Sequence, residues 1–407
     1  MTTMSTQNRT LEAIAREEKF GAHNYHPLDV VVSRAEGVWV WDAEGNRYMD
    51  FLAAYSAVNQ GHSHPKILAA LIEQAGRVSL TSRAFRNDQL GYLYEELCTL
   101  TGYERALPMN SGAEAVETAI KVARKWGYKV KGVADGKAKI LVFENNFHGR
   151  TTTIVGFSTE AQYKDGFGPF TPGFEILPYG DLEAVKKAMD ENVVAILVEP
   201  IQGEAGIVIP PDGFLAGLRK LTTEKNALLI VDEIQAGLGR TGKLFAFEHE
   251  GIRPDVVIIG KALSGGFYPV SAILADDAVM SVFHPGDHGS TYGGNPLAAA
   301  VSRAALRVLV DEKLVERSAE LGEYFLGRLS KIDSPHVKDV RGRGLWIGIE
   351  LKKESGGARR FCEALMKEGV LCKETHEHVI RIAPPLVITR EQIDWAMERL
   401  EKVLSGE

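Results

Sequence analysis

Five short aliphatic runs limit the possible folds most: KILVF (139–143), VAILV (194–198), ALLIV (227–231), VVII (256–259) and SAIL (271–274). None shows the alternation of a half-exposed strand, so each predicts a strand buried on both faces. Helical stretches separate several of them. The pattern therefore predicts an α/β fold in which helices cover both sides of a mostly parallel sheet. Upstream, residues from about 5 to 20 read as a polar helix. GVWVWD (37–42) and RYMDF (47–51) read as a hairpin turning at Ala43-Glu44-Gly45-Asn46, and Pro65 opens an amphipathic helix. Beyond about residue 300 the texture changes. A long helix over roughly 298–330 is expected, then strands in VRGRGLWIGIEL and HVIRIAPPL, then a charged closing helix. That is the pattern of a smaller α+β domain, and 407 residues suit such a division.

Composition removes several function classes. A net charge of −7 gives no general attraction to nucleic acid. No apolar run reaches membrane-spanning length, and MTTMSTQNRT lacks an apolar signal core. The expectation is a cytoplasmic protein with neither membrane nor nucleic-acid partners. Three cysteines without CxxC spacing (Cys98, Cys362, Cys372) fit a reducing compartment and read as buried thiols. No metal site is expected. His62 and His64 stand two apart, as do His376 and His378, but neither pair has a third ligand nearby, so both read as structural or solvent-facing.

One stretch raises a sharper question. LLIVDEIQAGLGRTGKL (228–244) contains Gly237-x-x-x-x-Gly242-Lys243, most of a phosphate-cradling nucleotide loop. That motif needs a hydroxyl after the lysine to hold magnesium, and Leu244 has none. The residues that end the buried runs suggest another chemistry, because ligands of open α/β sheets bind beyond the carboxyl ends of the strands. Glu199 follows VAILV, Asp232 follows ALLIV and Lys261 follows VVIIG. An acid and a lysine in one cleft can be a structural ion pair. They also meet two needs of pyridoxal phosphate: a lysine to carry it, and an acid against its ring nitrogen. A third need, a phosphate pocket, is met where Ser111-Gly112-Ala113 opens a helix, although Ser-Gly there also suits an ordinary N-cap.

SGAEAVETAIK, NNFHGRT, VEPIQGEAG, VDEIQAGLGRTG, GKALSGG and GSTYGGNPLA, in this order, resemble the class III (subgroup II) pyridoxal phosphate aminotransferases, from about residue 17 to 405. GAHNYHPL, AAYSAVNQGHSHP, LTSRAF, RKWGYKVKG, GFGPFTPG and RIAPPLVI are similar to the branch acting on ornithine. The resemblance implies a fold-type I chain. It would have a large cofactor-binding domain at 56–300, a small C-terminal domain at 301–407 and an N-terminal segment, 1–55, packed with the small domain. Lys261 would carry pyridoxal 5'-phosphate and move the proton, and Asp232 would face the pyridine nitrogen. Gln235 would contact the phenolic oxygen, Phe147 would stack on the ring, and Ser111, Gly112 and Ala113 would bind the phosphate. Ser290 and Thr291 would reach the phosphate of a neighbouring subunit, which implies a homodimer and leaves open whether dimers pair. GLGRTGK then becomes a turn in which Arg240 is structural.

The implied reaction moves the δ-amino group of L-ornithine to 2-oxoglutarate, by a ping-pong route through one pocket. Arg150 would hold the distal carboxylate of glutamate and Arg381 its α-carboxylate, each by a bidentate fork. Glu204 would pair with Arg381 while ornithine is bound. Tyr25 and Tyr55 would contact the α-amino-carboxylate of ornithine, and either could instead be an amphipathic core residue. Relatives acting on acetylornithine or 4-aminobutyrate, the rival substrates, usually carry a small or aliphatic residue in place of Tyr55. An aminomutase, or a cofactor-binding regulator without catalysis, is a more distant rival.

Overall fold

The aliphatic runs lie side by side in one seven-stranded sheet of the computed structural model, which describes residues 9–406. In chain order the strands are Arg105–Met109 (β1), Lys139–Phe143 (β2), Phe174–Leu177 (β3), Val193–Val198 (β4), Leu228–Asp232 (β5), Val256–Ile259 (β6) and Ser271–Ala275 (β7). Across the sheet the order is β1-β7-β6-β5-β4-β2-β3. β6, β5, β4, β2 and β3 run parallel, whereas β7 is antiparallel to both β6 and β1. Alternate residues serve opposite faces, as pleating requires. Ile230 and Ile258 pack with Ala115, Ala119 and Ile120 of the helix Gly112–Trp126. Leu229, Val231 and Val257 share the opposite core with Leu215 and Leu218 of Phe214–Glu224 and with Leu309 of Pro296–Asp311.

Sequence reading missed two strands of this sheet. β1 has the mixed sequence RALPM, and β3 is an edge strand whose FEIL is only half buried. The single helix expected over 298–330 is two, Pro296–Asp311 and Leu314–Leu329, because Lys313 turns into the left-handed region at φ 51°. The apolar spacing continues across that break, so periodicity alone does not reveal it. The expected N-terminal helix runs over Arg9–Phe20, and its proposed start at 5–8 lies outside the described residues.

The hairpin forms as expected: Trp39–Asp42 pairs with Arg47–Asp50, and Gly45 supplies φ 92° at the turn. Val370–Leu371 then joins the hairpin in parallel, so the N-terminal segment shares a sheet with a strand from the C-terminal part. A further sheet, in the order Val337–Arg343, Trp346–Leu351, Val379–Ile382, Lys373–Thr375, carries Arg381. Arg240 ties these regions together from within the core. It donates to the Leu345 and Pro384 carbonyls at 2.8 and 2.7 Å and also bonds Asn59 Oδ1.

Candidate active site

The carboxyl ends of β2, β4, β5 and β6 open onto one cavity of about 200 Å³. Gly112, Ala113, Phe147, Glu199, Asp232, Gln235 and Lys261, seven of the residues singled out from sequence, line it. Lys261 follows β6 after Gly260 and begins a short 3-10 turn. It holds φ 44°, a conformation that lysine adopts at a cost and that the surrounding fold must enforce. Burial draws its amine down to about 8, with Glu204 opposing the shift and Arg381 adding to it.

Asp232 ends β5. Its Oδ1 accepts the Ile234 N–H at 3.0 Å and its Oδ2 bonds His148 Nδ1 at 2.7 Å. Burial disfavours the charged His148 ring, but the hydrogen bond and charge of Asp232 outweigh it and raise its pKa. Glu199, at the end of β4, behaves oppositely. Burial pushes its carboxyl up to about 8, with His148 opposing and Asp232 adding, while Oε2 accepts the Phe147 N–H at 2.9 Å. One carboxylate thus bonds a histidine, and its neighbour, pushed toward the neutral form by burial, holds the backbone of Phe147.

Ser111 caps the helix Gly112–Trp126: its hydroxyl accepts the Glu114 N–H, and Glu114 Oε2 in return accepts the Ser111 N–H at 2.7 Å. Ser111 serves the cap and does not line the cavity, whereas Gly112 and Ala113, whose N–H groups have no intrahelical acceptor, do line it.

Three of the residues expected to meet substrate, Arg381, Glu204 and Tyr55, lie together next to Gln235 of this cavity. Arg381 is 1% exposed, and its Nη2 donates to Glu204 Oε1 and to the Gly203 carbonyl, both at 2.9 Å. Its Nε and Nη1 find no partner among the described residues. Glu204 Oε1 also accepts from Gln235 Nε2 at 3.2 Å. Burial works against the Glu204 carboxylate, yet the charges of Arg381 and Lys261 hold its pKa below the usual value. Gly203 is needed for this approach, since a Cβ there would stand 2.7 Å from Gln235 Oε1 and 2.6 Å from Trp346 Cζ2.

The Arg381 guanidinium lies 4.9 Å from the centre of the Tyr55 ring. Tyr55 belongs to four successive left-handed residues, Ala53 to Ser56, with φ of 47, 46, 58 and 72°. Each such residue costs about 1 kcal/mol or more. Asp50 secures the turn by accepting the Leu52 and Ala53 N–H groups at 2.8 and 3.0 Å, and His62 bonds its other oxygen at 2.7 Å. His62 is therefore structural, and His64 is paired with Glu312.

Arg150 stacks 3.7 Å from the ring centre of Tyr163 and has no carboxylate partner among the described residues. Tyr25 is 83% exposed on an irregular segment. Ser290 and Thr291 do not line their own chain's cavity; Thr291 is exposed, and Ser290 Oγ accepts from Asn110 Nδ2 at 2.8 Å. Sequence reasoning passed over His148, although it adjoins Phe147 in NNFHGRT. It also passed over Tyr163, which no motif marks.

The residues fit pyridoxal phosphate. The cavity offers a buried amine, an acid bonded to a histidine, an aromatic wall, a Gln235 Oε1 without a partner among the described residues and a helix N-terminus. Comparison with known proteins agrees, for the family model "Aminotransferase class-III" matches residues 20–404. The chain belongs to the class-III aminotransferases. The cofactor of these enzymes is pyridoxal 5'-phosphate. Among its relatives, an ornithine aminotransferase from an Exiguobacterium species is 60% identical over 398 residues, 98% of each chain. The ornithine aminotransferase of Toxoplasma gondii, whose active site holds the cofactor at partial occupancy, superposes with a TM-score of 0.96 at 45% identity, covering 98% of this chain and 94% of that one. The acetylornithine aminotransferase of Elizabethkingia anophelis has a TM-score of 0.89 at 49% identity, covering 98% and 99%. This class-III fold contains, among the described residues, no helix long and apolar enough to cross a membrane.

Proposed function

We propose that the chain transfers the δ-amino group of L-ornithine to 2-oxoglutarate, giving glutamate 5-semialdehyde and L-glutamate. The observation that carries this reading is the buried Arg381–Glu204 pair beneath Tyr55. A pocket that alternates between a dicarboxylate and a substrate presenting an apolar chain needs a guanidinium that can be neutralised from within. An unpaired buried charge is expensive, and Glu204 removes it. Relatives near 60% identity bear the name ornithine aminotransferase, which supports the same substrate.

When bound, pyridoxal phosphate supplies an electron-withdrawing ring that stabilises negative charge on the carbon bearing the amine. Asp232, oriented by His148, would keep the ring nitrogen protonated. Phe147 would cover one ring face, Gln235 would contact the phenolic oxygen, and Ser111, Gly112 and Ala113 would hold the phosphate. Lys261 would carry the cofactor and, once released, move a proton. An amine whose pKa sits near 8 is partly neutral at physiological pH and can act as a base. Arg150 and Arg381 would receive the two carboxylates of glutamate, and Tyr25 and Tyr55 the polar end of ornithine.

The working unit in this reading is a homodimer in the cytoplasm, in which Ser290 and Thr291 complete the partner's phosphate site. Tyr292, exposed beside Thr291, is apolar surface of the kind such a dimer would cover. Domains at 56–300 and 301–407, with 1–55 allied to the second, suit the shared sheet of Arg47–Asp50 and Val370–Leu371.

The 49% identity to an acetylornithine aminotransferase favours acetylornithine as a second reading. A half-reaction panel separates the two. Ornithine, acetylornithine, 4-aminobutyrate and lysine are added singly to the loaded enzyme, and loss of the bound cofactor's visible absorbance is followed. Ornithine should lead in kcat/KM by at least about tenfold, as a site built to pair a polar group discriminates. A lead for acetylornithine would replace the first reading by the second.

A further inference from the structure

We propose that Arg359, with Lys373 and Glu374, is a positioning residue that clamps the Tyr25 segment and so sets affinity for the amino donor. This rests on the ornithine reading above. Tyr25 lies between the helix ending at Phe20 and the strand starting at Val32, on a stretch with neither helix nor strand. A tyrosine there defines a substrate subsite only if the backbone is held, since loose positioning forfeits binding energy. Arg359 holds it. Its Nη2 donates to the Pro27 carbonyl at 2.9 Å and its Nη1 to the His26 carbonyl at 3.2 Å, while Lys373 Nζ reaches the His26 carbonyl at 3.3 Å.

Two cations converging on neutral carbonyls need a counter-charge. Glu374 Oε1 accepts from both, at 3.4 Å from Arg359 Nη1 and 2.5 Å from Lys373 Nζ, and Glu363 Oε1 takes Arg359 Nε at 2.7 Å. The planar guanidinium matters, because a lysine in its place reaches one carbonyl rather than two. The strand that carries this cluster has further attachments. Thr375 Oγ1 donates to the Glu204 carbonyl at 2.6 Å, and Lys373 pairs in register with Arg381. Lys373, Glu374 and Thr375 thus join the Tyr25 segment, the Glu204 loop and the Arg381 strand into one body. Arg359 itself bonds only the Tyr25 segment and two carboxylates, while the links to Glu204 and Arg381 run through Thr375 and Lys373, so removing Arg359 should harm the ornithine half of the cycle and spare the glutamate half.

The test uses full-length holoenzyme carrying Arg359→Leu or Arg359→Lys. For Arg359→Leu, KM for ornithine should rise about tenfold, the equivalent of one charged hydrogen bond, with kcat and the glutamate half-reaction unchanged. Arg359→Lys should fall between that variant and wild type, and keeps the question decidable if the leucine variant does not fold. Amide hydrogens of residues 22–29 should exchange faster while those of the large sheet do not. Adding Tyr25→Phe to Arg359→Leu should cost little more than either change alone. Equal losses in both half-reactions, unchanged exchange at 22–29, or additive losses would each overturn the clamp. A wild-type enzyme inert toward ornithine would refute the proposed function instead, and the exchange measurement would still decide the clamp.

Discussion

Replacing Glu204 by alanine should turn the chain toward ordinary α-amine transfer. Among the described residues Glu204 supplies the one carboxylate on Arg381, whose side chain is 1% exposed and leaves Nε and Nη1 without partners. Breaking a buried ion pair by removing one member costs about 3–5 kcal/mol. Because Glu204 retains 27% exposure, solvent screening brings this to about 2–3 kcal/mol. The variant without substrate should be destabilised by that amount, and an incoming α-carboxylate should restore it. In the wild type, glutamate must first displace Glu204. In the variant that step is absent, so kcat/KM for the glutamate half-reaction should rise at least about tenfold, at 1.4 kcal/mol per decade. Ornithine, whose carbon chain would then face a bare guanidinium, should lose at least about tenfold on the same scale. Stopped-flow measurement of each half-reaction reads both numbers, and melting curves with and without a dicarboxylate read the stability. An equal fall in the two half-reactions would refute the reasoning and leave Glu204 a structural residue.

Tyr55→Ile should lower kcat/KM for ornithine by about 10- to 100-fold while 4-aminobutyrate holds or gains, if the hydroxyl contributes one hydrogen bond to a charged group; equal falls would make Tyr55 a packing residue. Lys261→Met should abolish transfer and, in the cofactor-free chain, raise stability at pH 7 by up to about 3 kcal/mol at 1.36 kcal/mol per pKa unit. The sign follows from a folded-state pKa of about 8 against 10.5 unfolded. The penalty for burying the charge is full below pH 8 and fades between 8 and 10.5, so wild type and variant should converge at high pH in denaturant titrations. Glu199→Gln should keep the Phe147 N–H bonded and flatten the pH dependence of stability. With a folded pKa of about 8 against 4.5 unfolded, wild-type stability falls as pH rises through that window, and the glutamine variant should not follow.

Much of the cofactor site was legible because its residues sit where strands stop. Asp232 and Lys261 end or follow unbroken aliphatic runs, so strand prediction nearly places them, whereas Ser111 to Ala113 follow a strand that escaped notice and were legible only by their N-cap signature. Tyr55 was legible only through resemblance. Its four-residue left-handed turn contains no glycine, and the force that maintains it, Asp50 braced by His62, lies in side-chain contacts that spacing cannot show. His148 was hidden by type, since a lone histidine is more often structural, and only its 2.7 Å bond to Asp232 gives it a role. β7 was visible as a strand but not as an antiparallel one, because burial on both faces makes either direction read the same. The two-helix form of 296–329 turns on one residue, Lys313.

Isotopic labelling tests the central claim most directly. The loaded enzyme is given 2-oxoglutarate with ornithine carrying ¹⁵N at either the δ or the α position, and the glutamate formed is analysed by mass. δ-Labelled ornithine should place the heavy nitrogen in glutamate, and α-labelled ornithine should leave it in the semialdehyde product. Heavy glutamate from the α-labelled substrate would mean that the pocket presents the other end of ornithine, and the roles assigned to Tyr55, Glu204 and Arg381 would fall together.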